Sequence, residues 1–206
     1  MKNYHRSYMD RSFEDHLKAL SAICEETGEP MCSNDDSADS EAKEANLFDL
    51  GKQANLILEI GFGAGRSTLL FLLANTDSRL IVFDICYYKY TIPCFEYLQE
   101  QFPERLLLIT GDSNQTIPRF FVHNQQIKFD LIHIDGGRER TVAFKDFAST
   151  YLMAANMVVF NDTHTDDLNE LFESFLKKQL LQEILMRPTQ QCQHRIARVP
   201  TSKVFS

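Results

Sequence analysis

Short unbroken apolar runs alternate along most of this chain with longer segments whose apolar residues recur every three or four positions. The runs Leu56-Ile57-Leu58, Leu80-Ile81-Val82-Phe83 and Met157-Val158-Val159-Phe160, with the stretches beginning at Leu106 and Phe129, predict strands over 55–60, 80–85, 106–110, 129–135 and 157–161. Between them, helices are expected over 65–75, 92–101, 114–122, 139–153 and 166–179. The last places Leu168, Leu171, Phe172, Phe175 and Leu176 on one side. Strands apolar on both faces, separated by helices, imply a parallel sheet covered on both sides.

The flanks read differently. Residues 12–24 predict a helix with Phe13, Leu17, Leu20 and Ile23 on one face. From Gly28 to Glu44 the chain turns polar and acidic, with Asp35, Asp36, Asp39, Glu41 and Glu44, and is expected to be a mobile linker or loop, with a lid as its functional reading. Apolar pieces at 181–186 and 194–199 suggest two closing strands joined near Pro188. The expected organisation is an N-terminal helix and acidic linker over 1–46 and a single domain over 47–206. No internal repeat is visible.

The sharpest chemical signal is the stretch NLILEIGFGAGRST, Asn55 to Thr68. A buried strand ends in Glu59 and is followed by glycines at alternate positions, Gly61, Gly63 and Gly65, and then by a helix start. Such a turn lets a nucleotide-like ligand approach backbone at the carboxyl end of a strand. A dinucleotide fingerprint would need its third glycine at Arg66, which argues against a nicotinamide cofactor. The acid-x-G-x-G-x-G spacing resembles motif I of class I S-adenosylmethionine (SAM) methyltransferases. That resemblance implies a Rossmann-like, mostly parallel seven-stranded sheet with a C-terminal antiparallel strand pair. It also implies SAM binding by Glu59, Gly61, Phe62, Gly63, Gly65 and Ser67, with Glu59 facing the methionine end.

The second strand ends in Asp84, nineteen positions after Gly65, and is followed by Ile85. An acid there can accept from both ribose hydroxyls, in NAD and SAM proteins alike. The third strand runs into Asp112 and Ser113, where the resemblance implies contact with the adenine and where either residue also suits a helix N-cap.

The fourth and fifth strands end in Asp135-Gly136-Gly137 and Asn161-Asp162-Thr163-His164. In neighbouring strands Asp135 and Asp162 would lie roughly 5 Å apart at the backbone. Two carboxylates so close repel unless a cation lies between them, and an all-oxygen set completed by Asn161 suits magnesium, manganese or calcium. The segments FDLIHIDGG and VVFNDTH resemble the metal-dependent O-methyltransferases, nearest to the branch with macrocin O-methyltransferase and the cephalosporin hydroxylase-like proteins, with catechol O-methyltransferase more distant. The likeness covers about Leu47 to Gln182 and implies a divalent cation, Mg2+ foremost, held by Asp135, Asn161 and Asp162.

Two positions depart from that pattern. Arg138 stands where these families carry a His or Lys base, and an arginine stays protonated. It suits an anion clamp or oxyanion stabiliser instead, and leaves His164 as the candidate base. Ala154-Ala155-Asn156 replaces the usual glycine turn before strand five. His133, on a buried strand, reads as a hydrogen-bonded core histidine, and Tyr87, Tyr88 and Tyr90 as ordinary packing or as a pocket wall.

Composition narrows the partners. A formal net charge of -8 over 206 residues argues against nucleic acid as substrate. No apolar run is long enough to span a bilayer, and the start, MKNYHRSYMDRS, lacks the apolar core of a signal peptide. Five cysteines without close or zinc-like spacing (Cys24, Cys32, Cys86, Cys94, Cys192) fit reduced thiols in a cytoplasmic protein. The expected function is O-methylation of a small hydroxylated molecule. The alternative is a SAM-binding, non-catalytic protein that senses or scaffolds. A homo-oligomer is compatible with either.

Overall fold

Five of the apolar runs become the parallel strands β1 (Leu56–Ile60), β2 (Arg79–Asp84), β3 (Leu106–Thr110), β4 (Phe129–Ile134) and β5 (Ala154–Asn161). This computed structural model describes residues 11–31, 38–189 and 194–200. Two short strands, β6 (Gln182–Glu183) and β7 (His194–Arg198), close the sheet, with β7 antiparallel to both β5 and β6. The strand order is β3-β2-β1-β4-β5-β7-β6. The expected sheet, including its antiparallel end, is therefore present.

Helices α1 (Arg11–Glu26), α2 (Ala38–Gly51), α3 (Arg66–Ala74) and α4 (Thr91–Gln101) share one core with Ile57, Val82, Leu131, Val159 and Ile196. The opposite face, with Leu58, Phe83, Ile132 and Phe160, is covered by α5 (Ser113–His123), α6 (Arg140–Tyr151) and α7 (Asp166–Lys177). The alternation of strand residues between two apolar cores is why these strands carry no polar face. Helix α7 shows the complementary logic. Its stripe Leu168, Leu171, Phe172 and Phe175 is buried, and Arg195 of β7 lies over the Phe172 ring at 4.2 Å while pairing with Glu173 and Glu183 at 2.7 Å each. From β1 the chain winds outward to β2 and β3, then returns to β4 and winds the other way. The ends of β1 and β4 thus form the switch point at which open α/β sheets bind ligands.

Two expectations are corrected. Much of the acidic stretch is not a linker: from Ala38 it is helix α2, which runs through residue 47, the expected start of the domain, to Gly51. Its start, Ala38 to Glu44, is mostly charged or polar, and its buried face mixes Glu44 and Asn46 with Ala45, Leu47 and Leu50, so the apolar stripe that announces a helix is weak. Ala154, Ala155 and Asn156 are not a turn but the first residues of β5, which is longer than its apolar run. Asp35, Asp36, Cys32 and Cys192 lie outside the described residues. Cys24 and Cys94, distant in sequence, are buried thiols with sulfurs 3.9 Å apart.

Candidate functional site

The chain leaves β1 through Gly61 to Gly65 and enters α3. Gly61 has φ +91, and a Cβ on it would lie 2.1 Å from the carbonyl oxygen of Asp135. Only glycine lets the ends of β1 and β4 come this close. Gly63 has φ +56, and a Cβ there would meet nothing within 4 Å. This position borders open space at the switch point, the cradle that the approach of a ligand requires. Phe62 is buried, edge-on to Phe95 at 5.7 Å, and anchors the turn from below.

Asp84, at the end of β2, grips the same turn. Its Oδ2 accepts from the backbone N–H of Phe62 at 2.6 Å and of Gly63 at 3.1 Å, and its Oδ1 from Cys86 N–H at 2.5 Å. A carboxylate has about four acceptor sites, so this half-buried group retains capacity for a further donor. Ile85 beside it is 66 % exposed, an apolar surface next to a charged one. One strand further on, Asp112 caps α5 by accepting from Asn114 N–H at 2.9 Å, which makes it the N-cap rather than Ser113. Behind this cap lies Asp146 of α6, 1 % exposed and with neither oxygen in a hydrogen bond of good geometry. Burial pushes its carboxyl up to about 6; Ser113 offsets part of this and the charge of Asp112 adds to it.

Glu59 lies beneath the start of α3. It is wholly buried, and its carboxylate accepts from Ser67 Oγ and Thr68 Oγ1 of α3 and lies 2.9 Å from Nδ1 of His133. A polar partner that a buried carboxylate needs comes from the protein, and Glu59 orients the first turn of α3. Half-buried Ser67 is the motif residue left at the surface. His133 is the expected core histidine, held by Glu59 and packed edge-on to Phe71 at 5.7 Å.

The ends of β4, β5 and β7 build the other half of the site. Asn161 pairs with His194 across β5 and β7. The Asn161 amide donates to Oδ1 of Asp135, just past the end of β4. Asp162 follows with φ +53, in the left-handed region. Its Oδ2 accepts from Arg138 Nε at 2.6 Å, and its Oδ1 is 4.0 Å from Nδ1 of the half-exposed His164. Burial pushes the Asp135 carboxyl above the usual range, while Lys43, His133 and the Asn161 amide hold it down and Asp162 adds only a small upward push. The carboxylate repulsion expected from sequence is thus relieved within the chain. The guanidinium of Arg138 is held above its ordinary range, chiefly by the charge of Asp162.

The expected metal ligands are engaged by one another and by Arg138. Asp135 faces an amide N–H, and Asp162 gives an oxygen to a guanidinium. Among the described residues, no three His, Cys, Asp or Glu side chains converge in a way that could hold a metal ion. Asp135, Asn161 and Asp162 do come together as neighbours, but as a hydrogen-bonded and ion-paired set.

Helix α2 contributes residues that the sequence did not announce. Glu44 pairs with Arg66 Nε, tying α2 to the start of α3. Asn46 Nδ2 lies 3.0 Å from His194 Nε2, and the same amide exchanges hydrogen bonds with the backbone of Arg187. Burial, with the charges of Lys43 and His133, depresses His194 to about 3 and keeps it neutral. No motif marks these positions: they belong to a polar helix and a C-terminal strand far apart in sequence. The tyrosines separate, with Tyr90 fully buried and stacked on Tyr88 at 4.9 Å, and Tyr87 82 % exposed.

The family described as "Methyltransferase domain" matches residues 58–163, a little over half of the chain. No curated protein matches it in sequence. Among solved structures, an O-methyltransferase from Bacillus cereus in complex with SAH superposes with a TM-score of 0.68 at 15% identity, covering 93% of this chain and 91% of that one. TomG, an O-methyltransferase from Streptomyces achromogenes involved in tomaymycin synthesis and solved with SAM, gives 0.69 at 17% identity and 89% of each chain. CalS11, a TDP-rhamnose 3'-O-methyltransferase of calicheamicin biosynthesis, gives 0.61 at 16% identity, with 90% and 93% covered. At these identities the likeness is one of fold.

Proposed function

The chain belongs to the methyltransferase-domain family, and from that membership we propose that it transfers the methyl group of SAM to an oxygen of a small hydroxylated molecule. The observation that carries the reading is the turn at Gly61–Gly65. Its positive-φ glycines leave open space over Gly63, and its N–H groups are gathered on Asp84. SAM supplies an electrophilic methyl group on a sulfonium centre. Asp84 offers its remaining acceptor capacity to ribose hydroxyls, Asp112 and Ser113 border the adenine, and Ser67, fixed by Glu59, borders the methionine end. The acceptor oxygen lies at the ends of β4 and β5, among Asp135, Asn161, Arg138 and His164. There Arg138 clamps or stabilises negative charge, and His164 takes the hydroxyl proton. Orientation and exclusion of water supply most of the rate, since methyl transfer needs in-line approach.

Small-molecule acceptors are favoured by the acidic surface and by the activities named for CalS11 and TomG. Among the described residues no helix is long and apolar enough to cross a membrane. Calorimetry with SAH, followed by transfer of labelled methyl from SAM to a panel of hydroxylated acceptors, tests the proposal. No SAH binding by the folded protein would sink it.

A further inference from the structure

We infer that the acceptor site carries its own cations, Arg138 seated on Asp162 and Lys43 of α2 set against Asp135, and that these stand in place of a divalent metal ion. The inference rests on the methyltransferase reading and specifies how its acceptor oxygen is stabilised.

The position of Lys43 follows from a chain of contacts. Asn46 on α2 is fixed to His194, His194 pairs with Asn161, and Asn161 donates to Asp135. Lys43 lies three residues before Asn46, one turn earlier on the face of α2 that carries the contact with this row. It is half-buried. Its charge acts on both Asp135 and His194, as that placement requires. On the other side, Arg138 is 2.6 Å from Asp162 and otherwise 75% exposed, so its remaining N–H groups are available to an acceptor.

The charges then balance. Two carboxylates, Asp135 and Asp162, stand against two cations, Lys43 and Arg138. Affinity for a hard divalent ion scales with ligand charge, and a compensated pair offers little of it. A metal ion would also have to displace the guanidinium from Asp162. The two organic cations can instead stabilise the negative charge that develops on the acceptor oxygen as its proton leaves. In the transfer, the oxygen lone pair forms the O–CH3 bond while the S–CH3 bond breaks. Its electrons remain on sulfur, giving a neutral thioether in S-adenosylhomocysteine, and the hydroxyl proton passes through the half-exposed His164 to water.

Manganese binding, read by loss of the free-ion paramagnetic resonance signal, tests this directly, with and without saturating SAH. The wild type should show no saturable binding up to about 1 mM, the weak end of protein sites for such ions. The Arg138→Ala/Lys43→Met double variant, with both carboxylates uncompensated and the lysine stem replaced by one of similar length, should bind at least about ten-fold more tightly. Adding Asp135→Asn to that variant should abolish the gain. Saturable binding by the wild type that Asp135→Asn removes would overturn the inference, as would the absence of any gain in the double variant. SAH affinity, measured beforehand without metal, separates these outcomes from a failure of the methyltransferase reading.

Discussion

Nδ1 of His133 lies 2.9 Å from a carboxylate oxygen of Glu59, and neither side chain has any exposed surface. The two are register partners on β4 and β1, the strands that flank the switch point. The same carboxylate also takes the hydroxyls of Ser67 and Thr68, so one buried acid joins two strands to the first turn of α3. Removing it leaves three polar groups without a partner.

Glu59→Ala should therefore destabilise the fold by about 3–5 kcal/mol, the range for breaking a buried hydrogen-bonded charge. Glu59→Gln, which keeps acceptor and shape, should cost distinctly less. Urea denaturation measures both, and equal stabilities of the two variants would contradict the account.

Gly63→Val should abolish SAH binding while the protein stays folded, because a branched side chain would fill the space over the turn and oppose its positive φ. Asp84→Ala should weaken binding by about 1–3 kcal/mol, through loss of a charged acceptor and of the contact that gathers the turn's N–H groups. Calorimetry checks both, with circular dichroism to verify folding.

Asp146 predicts a pH dependence of stability. Its carboxyl is raised to about 6 from 3.8, so the folded state binds its proton more tightly than the unfolded chain does. The stabilising contribution is full below pH 3.8 and is lost as pH rises through about 6. Asp146→Asn, which resembles the protonated form, should be more stable than the wild type by about 1–3 kcal/mol at pH 8. The difference should shrink toward zero near pH 4, as melting curves across that range will show.

His194 acts in the opposite direction. It is depressed to about 3 from 6.5, by burial first and then by Lys43 and His133. The unfolded chain binds its proton first, so stability is full above pH 6.5 and falls as pH drops toward 3. A His194→Gln variant should have a flatter acid limb in denaturation midpoint against pH. An unchanged slope would show that another group carries it.

Under the proposed function, His164→Ala should lower turnover by about 10²–10⁴, the loss typical of an acid–base group, with SAH affinity unchanged. It lies 4.0 Å from Asp162, past the end of β5, and the cofactor turn follows β1. Near-wild-type turnover would leave activation of the acceptor to Arg138 and Lys43 alone.

Much of this protein follows from local pattern. The five parallel strands, the helices between them and the glycine turn are each set by residues close in sequence: apolar runs, 3.6-residue stripes and alternate glycines. The same locality placed Asp84, Asp112, Asp135 and Asn161 at strand ends. What lay beyond it depended on groups meeting from distant parts of the chain. Glu59 and His133 are 74 residues apart, and Asn46 and His194 are 148 apart. Their pairing is fixed by strand register and by the docking of α2, neither of which leaves a periodic trace. The start of α2 read as a linker because its residues up to Glu44 are mostly acidic or polar, and polarity alone does not tell a solvated loop from a packed helix. The acids at the ends of β4 and β5 read in sequence as ligands of a divalent cation. The contact of Asp162 with Arg138 was not legible there, because electrostatic partnership depends on distances that only the folded chain establishes.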